Sequence, residues 1–252
     1  MTSFLECPGS SRGEWRFHIF DVPVRVHPWF WLTVLFMGAS EDVGSTLIWA
    51  AVCFISILVH ELGHVAAFRF FGVRSDAVLY GFGGLAIPES DVRGTFARIA
   101  VSAAGPVAGF CLAAVAVACA LASGAQLHPG FSTIVIPSLT AWVPRGSLYG
   151  NILLSDLLYV NICWGLMNLL PVYPLDGGQV ARAFLEHRDP VRGKRRSLVI
   201  SASVAAGVAV LGLATRSMYL VALFGALAAG SAQLLEADRP FFRPRPYDSS
   251  RR

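Results

Sequence analysis

The segment HELGH, which runs from His60 to His64, closes a long apolar stretch at positions 46–59. Residues four apart share one face of a helix, so His60 and His64 can bind one zinc ion while Glu61 reaches a water on that ion. Each ionisable group in the bilayer core costs about 2.5 to 3.5 kcal/mol, and the next Lys or Arg along the chain is Arg69. Packing alone explains such a cluster poorly, so the segment predicts a zinc site inside a membrane.

The apolar character extends over most of the chain. Of the 252 residues, 55% are hydrophobic and 14% are charged, whereas about a quarter are charged in soluble domains. Most of the apolar stretches approach the roughly 20 residues that cross a bilayer; the first is short and would need Val22 to Val26 or local thinning to complete it. We therefore predict an all-α polytopic membrane protein with six transmembrane helices, at Pro28–Ala39, Thr46–Phe71, Ile99–Ala122, Ile152–Leu170, Leu198–Ala214 and Met218–Leu235.

The basic residues are distributed unevenly between the two sides of these predicted helices. Of the 20 Lys and Arg residues, all but Arg145 and Arg216 fall in the termini and the even-numbered connections. By the positive-inside rule, both termini are cytoplasmic. We expect an integral, multi-pass protein of a bacterial or archaeal cell membrane, with the lipid bilayer as a partner. The same distribution argues against nucleic acid as the explanation of the net charge of +4.

Two connections between the predicted helices are unusual. The segment Val73–Ile87 combines Val, Tyr and Phe with closely spaced glycines, which predicts a short membrane-associated β-hairpin between the second and third helices. In Gln126–Gly150 three prolines interrupt an apolar segment; they argue against a seventh span and favour either an interfacial or re-entrant stretch or a plain loop. We expect one transmembrane domain at positions 1–239 and a short, disordered cytoplasmic tail at 240–252.

Zinc needs a further protein ligand besides two histidines. His18, His27, His128 and His187 are candidates by residue type, but they lie in polar or interfacial segments. Asp176 is the better candidate, because the second and fourth predicted spans run in the same direction and bring the HELGH segment and Asp176 to one membrane depth. The neighbouring prolines would break the helix before Asp176, and the two glycines after it would allow a tight turn. The residues concerned are Pro171, Pro174, Gly177 and Gly178.

The chain resembles the site-2 protease family of intramembrane zinc metalloproteases, peptidase family M50. The resemblance rests on the HELGH segment, on the stretch NLLPVYPLDGG from Asn168 to Gly178, and on the turn GFGG from Gly81 to Gly84. Ala104-Gly105-Pro106 in the third span is also similar to the family's pattern. These motifs cover about residues 55 to 180.

The resemblance implies specific roles for residues of this chain. His60, His64 and Asp176 would bind one Zn²⁺ per chain, and Glu61 would be the catalytic base. Asn168 would face the site and contact the substrate, and Asn161, seven residues earlier, would share its helical face. The turn at Gly83 and Gly84 would help to dock an unwound substrate strand.

These expectations define an enzyme that hydrolyses peptide bonds in or near transmembrane segments of membrane-anchored proteins. Zinc would activate a water and polarise the scissile carbonyl, while Glu61 takes the proton of the water and passes it to the leaving amine. One alternative is a membrane zinc hydrolase that acts on other peptides; another is a catalytically silent membrane scaffold or transporter, against which the presence of Glu61 argues. The substrate, the gating partner and the oligomeric state stay open.

Overall fold

The computed structural model describes residues 13–38, 40, 42–81, 83–131 and 137–238. Position 82 and the predicted tail at 240–252 lie outside the described residues. In chain order the elements are β1 (Trp15–Ile19), β2 (Val22–Val26), α1 (Pro28–Met37), α2 (Val43–Phe70), β3 (Ser75–Tyr80), β4 (Gly83–Pro88), α3 (Thr95–Ala122), β5 (Gln126–Phe131), β6 (Pro137–Trp142), α4 (Leu148–Tyr159), a π-helical turn (Val160–Trp164), α5 (Gly165–Asn168), α6 (Asp176–Arg188), α7 (Gly193–Ala214) and α8 (Met218–Ala237).

Five helical segments among the described residues are long and apolar enough to cross a membrane, so the chain is a multi-pass membrane protein. They are α2, α3, the continuous helix Leu148–Asn168, α7 and α8. A sixth span is not confirmed, because α1 has ten residues and a helix of that length covers only about 15 Å. The sequence suggested that residues 22–26 could complete the first span, but they do not lengthen α1. They alternate buried and half-buried side chains as strand β2, the period of a pleated strand.

A four-stranded sheet lies beside α2, and its order is β1-β2-β3-β4. The hairpin β3–β4 occupies the segment in which the sequence indicated one, but it is half of a larger sheet, because β2 pairs in parallel with β3. Alternate side chains of β2 and β3, among them Val24, Ala77 and Leu79, are fully buried in one apolar cluster with Val52 and Val65 of α2. This packing fixes the sheet against the helix that carries the HELGH segment.

The segment between α3 and α4 contains a second hairpin, β5–β6. It packs along α4, where Ser155 Oγ donates to the carbonyl of Ala141 (3.2 Å) and the side-chain amide of Asn151 bonds both backbone groups of Val143. Among its described residues this segment contains no helix long enough to span a membrane, in line with the sequence argument against a seventh span. The structure makes the segment a paired hairpin rather than a plain loop.

A buried polar contact joins the fourth long helix to α2. The Asn161 side chain, in the π-helical turn, donates from Nδ2 to Ser56 Oγ (2.8 Å) and to the carbonyl of Leu157 (2.8 Å). Ser56 lies one helical turn before His60, so this contact anchors the two helices next to the histidines. The π-helical turn also changes the rotation between successive residues, and that Asn161 and Asn168 share one face stays a prediction.

The chain leaves the fourth long helix at Asn168 and returns as α6 after a short loop, residues 169–175. The backbone N–H of Tyr173 in this loop donates to Ser201 Oγ of α7 (2.7 Å), and Ser201 in turn contacts Ser231 Oγ of α8 (2.7 Å). Both serines are buried. The loop that precedes Asp176 is thus held against the α7–α8 pair.

Candidate metal centre

His60 and His64 lie on one face of α2, and their Nε2 atoms are 3.2 Å apart. The Nδ1 atom of His64 is 2.8 Å from the carbonyl oxygen of Val101 on α3. A carbonyl can only accept, so Nδ1 carries the hydrogen, and in the neutral ring the lone pair of Nε2 points to the centre of the site. A carbonyl partner of this kind orients a metal-binding imidazole.

Asp176, the first residue of α6, meets these two histidines. Its Oδ2 atom is 3.1 Å from Nε2 of His60, and its Oδ1 atom is 3.3 Å from Nε2 of His64. Gly177 and Gly178 are needed for close packing rather than for a turn, because a Cβ atom on either would collide with the backbone of the preceding loop. The sequence predicted a tight turn here, and the structure instead places both glycines in the first turn of α6.

The three side chains fit a metal ion. Ligands about 2.0 to 2.1 Å from a tetrahedral zinc ion lie about 3.3 Å from one another, and the contacts among the two Nε2 atoms and the Asp176 carboxylate measure 3.1 to 3.3 Å. The space beside them is kept open by Gly105 of α3, where a Cβ atom would collide with Nε2 of both His60 and His64. The residues can therefore hold a metal ion with nitrogen and oxygen ligands.

Glu61 shares this centre. The His60, Glu61 and His64 ligand atoms all lie within 4.8 Å of one another, and Glu61 is only 4% exposed. Gly84 of strand β4 lies directly against the Glu61 carboxylate, because a Cβ atom there would collide with it. A buried carboxylate next to two imidazoles is a suitable proton acceptor for a water activated at this centre.

The outer edge of β4 passes the Glu61 side chain with its backbone groups directed outward. The N–H of Glu89 donates to the carbonyl of Arg74 (2.9 Å), and hydrogen-bonded pairs alternate along an antiparallel ladder. Counting back through the register, the backbone groups of Leu85 belong to the ladder with β3, while those of Gly84 and Ala86 point away from it. Among the described strands, β4 pairs only with β3. The N–H of Ala86 acts as a backbone hydrogen-bond donor to Glu61.

The other expected site residues lie in different surroundings. Asn168 is half-buried at the end of α5, and Gly83 has open space where a Cβ atom would be. The histidines considered as alternative ligands lie elsewhere: His27 caps α1 by accepting from Trp29 N (3.2 Å), and His187 contacts Thr95 Oγ1 (3.3 Å). His18 and His128 are in strands β1 and β5.

Two contributors to the site have roles that were not assigned from the sequence. Gly105 was noted from the sequence only within Ala104-Gly105-Pro106, the stretch similar to the family's pattern, without a role at the site. Its position beneath the histidine rings follows from the packing of α3 on α2. The Val101 carbonyl is a backbone group, and a sequence pattern does not single out one carbonyl of a helix.

Known proteins share this chain's sequence pattern and its fold. The model of peptidase family M50 matches residues 48–210. The zinc metalloprotease MJ0392 of Methanocaldococcus jannaschii is 25% identical over 199 residues, which are 77% of this chain and 51% of that protein. Rip3 of Mycobacterium tuberculosis is 32% identical over 168 residues, 66% of this chain and 38% of Rip3. The chain thus spans about half the length, or less, of these relatives.

A solved structure has a similar fold. The site-2 protease from M. jannaschii superposes with a TM-score of 0.55 at 22% sequence identity, over 88% of this chain and 95% of that chain. At this identity the likeness concerns the fold alone. The family match covers both the HELGH segment and the Asn168–Gly178 stretch.

Proposed function

Because the chain belongs to peptidase family M50, we propose that it is an intramembrane zinc metalloprotease that cleaves membrane-anchored proteins in or near their transmembrane segments. The observation that carries the proposal is the meeting of His60, His64 and Asp176 beside Glu61. The histidines and Glu61 belong to α2, a helix long enough to span a bilayer, and Asp176 begins the shorter helix α6. A purely structural metal site would not need Glu61, the fourth side chain, as a proton acceptor.

His60, His64 and Asp176 would hold one zinc ion per chain. When bound, zinc supplies the Lewis acidity that activates water and polarises a carbonyl. Val101 keeps the His64 ring in the tautomer that offers Nε2 to the ion. Glu61 accepts the proton of the attacking water and returns it to the leaving amine. The low exposure of Glu61 and Asp176, 4% and 8%, limits the access of bulk water to these proton transfers.

The edge of β4 would hold the substrate. A transmembrane helix satisfies its backbone groups internally, so its peptide bonds become accessible only after the helix unwinds, and the freed N–H and C=O groups then need new partners. The outward backbone groups of Gly84 and the outward carbonyl of Ala86 offer such partners next to Glu61. The Ala86 N–H donates to Glu61 and would be shared with the substrate. Asn168, at the end of α5, would contribute a further hydrogen bond to the substrate.

We propose that the end of the molecule with Asp176 and α6 faces the cytoplasm, with both termini on the same side. Positions 182–196, from the second half of α6 to the start of α7, hold six of the basic residues, and the positive-inside rule places such a segment in the cytoplasm. The cleavage site would then lie near the cytoplasmic side of the bilayer. Prokaryotic relatives favour a bacterial or archaeal cell membrane.

The experiment that tests this function maps new protein termini in cells. The chain and its Glu61→Gln variant are expressed at equal levels, and mass spectrometry compares the membrane proteome of the two cultures. We expect Glu61-dependent termini within or next to transmembrane segments. Termini confined to soluble peptides would identify a different membrane hydrolase, and identical termini in both cultures would support a silent scaffold.

A further inference from the structure

A cavity of about 230 Å³ opens between the loop before α6, the start of α7 and the end of α8. It is separate from the metal centre. Its polar side is formed by Arg182, Lys194 and the carboxylate of Asp238, and its apolar side by Leu198 of α7 and by Leu234 and Ala237 of α8. Because α7 and α8 are long enough to span a bilayer, their ends mark a membrane boundary. The cavity thus joins two cations to an apolar wall at that boundary.

The two cations are available to an anion. Lys194 pairs with Asp238 (2.8 Å), but the side chains are 46% and 28% exposed, and partly exposed pairs of this kind contribute little. Arg182 binds Glu186 through Nε (2.7 Å), and its Nη atoms have no hydrogen-bond partner among the described residues. An oxyanion between the two side chains could therefore accept from Arg182 and replace Asp238 at Lys194.

The surroundings reinforce this preference for a negative charge. Positions 182–196 hold six basic residues and two acidic ones. The guanidinium of Arg182 is positioned by the Tyr173 ring, whose centroid is 5.5 Å from Cζ. Hydrogen bonds from Arg182 and Arg98 also keep the pKa of Glu186 below its usual value, although burial alone would raise it. Glu186 is therefore ionised at neutral pH and holds Arg182 in place.

We propose that this cavity binds the phosphate of an anionic phospholipid. A free phosphate would use only the cations, whereas a lipid would also use the exposed apolar side chains of Leu234 and Ala237 on α8, along which its acyl chains continue into the bilayer. Juxtamembrane basic groups attract anionic headgroups by a free energy that corresponds to about fivefold in affinity for each Lys or Arg. The lipid would contact Tyr173, three residues before the metal-site residue Asp176.

Lipid binding to the purified chain of 252 residues tests the proposal and needs no proteolytic activity. Native mass spectrometry would titrate the protein with dioleoylphosphatidylglycerol and, separately, with dioleoylphosphatidylcholine. We expect the anionic lipid to bind more tightly, Lys194→Gln to weaken its binding about fivefold, and Lys194→Arg to restore it. Asp238→Asn removes the competing carboxylate and should tighten binding.

The matched control is Arg196→Gln. Arg196 belongs to the same basic segment but pairs with Asp189 (3.2 Å) and does not line the cavity, so its loss should leave lipid binding near the parental value. Equal weakening by Arg196→Gln and Lys194→Gln would mean a general surface attraction and would overturn the proposal. Equal binding of both lipids would also overturn it, and so would displacement of the lipid by inorganic phosphate at millimolar concentration.

Discussion

Asp176 lies 3.1 Å from His60, although 116 residues separate them in the chain. The contact depends on three separate features. Helix α2 directs His60 towards Asp176. The loop 169–175 is bound to α7 by the hydrogen bond from Tyr173 N to Ser201 Oγ, and α6 begins at Asp176. One carboxylate thereby reaches both imidazoles of the HELGH segment. The first prediction concerns this contact.

Asp176→Ala should lower the zinc content of the purified protein from about one ion per chain to a small fraction of that, because one of three protein ligands is lost. His64→Ala should have the same effect. Atomic absorption on detergent-purified protein is the measurement. Asp189→Ala, which removes a carboxylate at the opposite end of α6, is the control and should keep its zinc. A folded Asp176→Ala protein with full zinc would remove Asp176 from the ligand set.

Glu61→Gln should retain the fold and the zinc but lose cleavage by about 100-fold to 10,000-fold, the usual contribution of a general base. The amide has the shape of the carboxylate but cannot take a proton from water. Cleavage is measured in the culture that expresses the variant, and the zinc content is measured on protein purified from the same culture. Near-parental cleavage by this variant would assign the proton transfer to another group.

Gly105→Ala should disrupt the metal centre without touching a ligand. The added Cβ atom would collide with Nε2 of His60 and His64, so the rings must move, and we expect zinc affinity to fall at least about tenfold. Competition with a zinc chelator measures it. Gly207→Ala in α7 is the matched control, because nothing lies within 4 Å of its added Cβ atom. Equal affinity in both variants would show that the rings do not need this space.

A proline in β4 should test whether the outer edge of this strand docks the substrate. Leu79 and Leu85 do not suit this test, because Leu85 is bonded within the ladder and the Leu79 carbonyl accepts from His27 N (2.9 Å). Ala86→Pro instead removes an outward N–H from an edge strand, a position where proline is tolerated. We expect weaker substrate binding with zinc retained.

The kinetic form of the defect identifies its cause. The Ala86 N–H also acts on Glu61, so a raised KM would indicate substrate docking, whereas a lower kcat at constant KM would indicate a displaced base. Parental values for both constants would exclude a role for this edge.

The contact between Ser56 and Asn161 should stabilise the packing of the fourth long helix on α2. Buried hydrogen bonds between membrane helices contribute about 0.6 kcal/mol on average. A double-mutant cycle with Ser56→Ala and Asn161→Ala, followed by unfolding in detergent mixtures, should give a coupling energy near that value. Strictly additive effects would mean that the two side chains do not interact in solution.

Several features could be read from the sequence because they depend on neighbouring residues. The helix period places His60, Glu61 and His64 together, and the length and hydropathy of the apolar stretches indicate most of the spanning helices. Asp176 was identified from the direction of two spans and from the resemblance to peptidase family M50. The structure brings its carboxylate to the histidines, and its role as a zinc ligand stays a prediction.

Other features were decided only by the tertiary structure, because they join segments that are distant in the chain. The alternation of residues 22–26 identifies a strand only when β3 is present to pair with it, and from the sequence these residues were considered only as one way, besides local thinning, to complete the first span. The position of Gly105 beneath the histidines depends on the packing of α3 on α2. The outward direction of the Gly84 and Ala86 backbone groups depends on the register with β3, and a shift of one residue would reverse it.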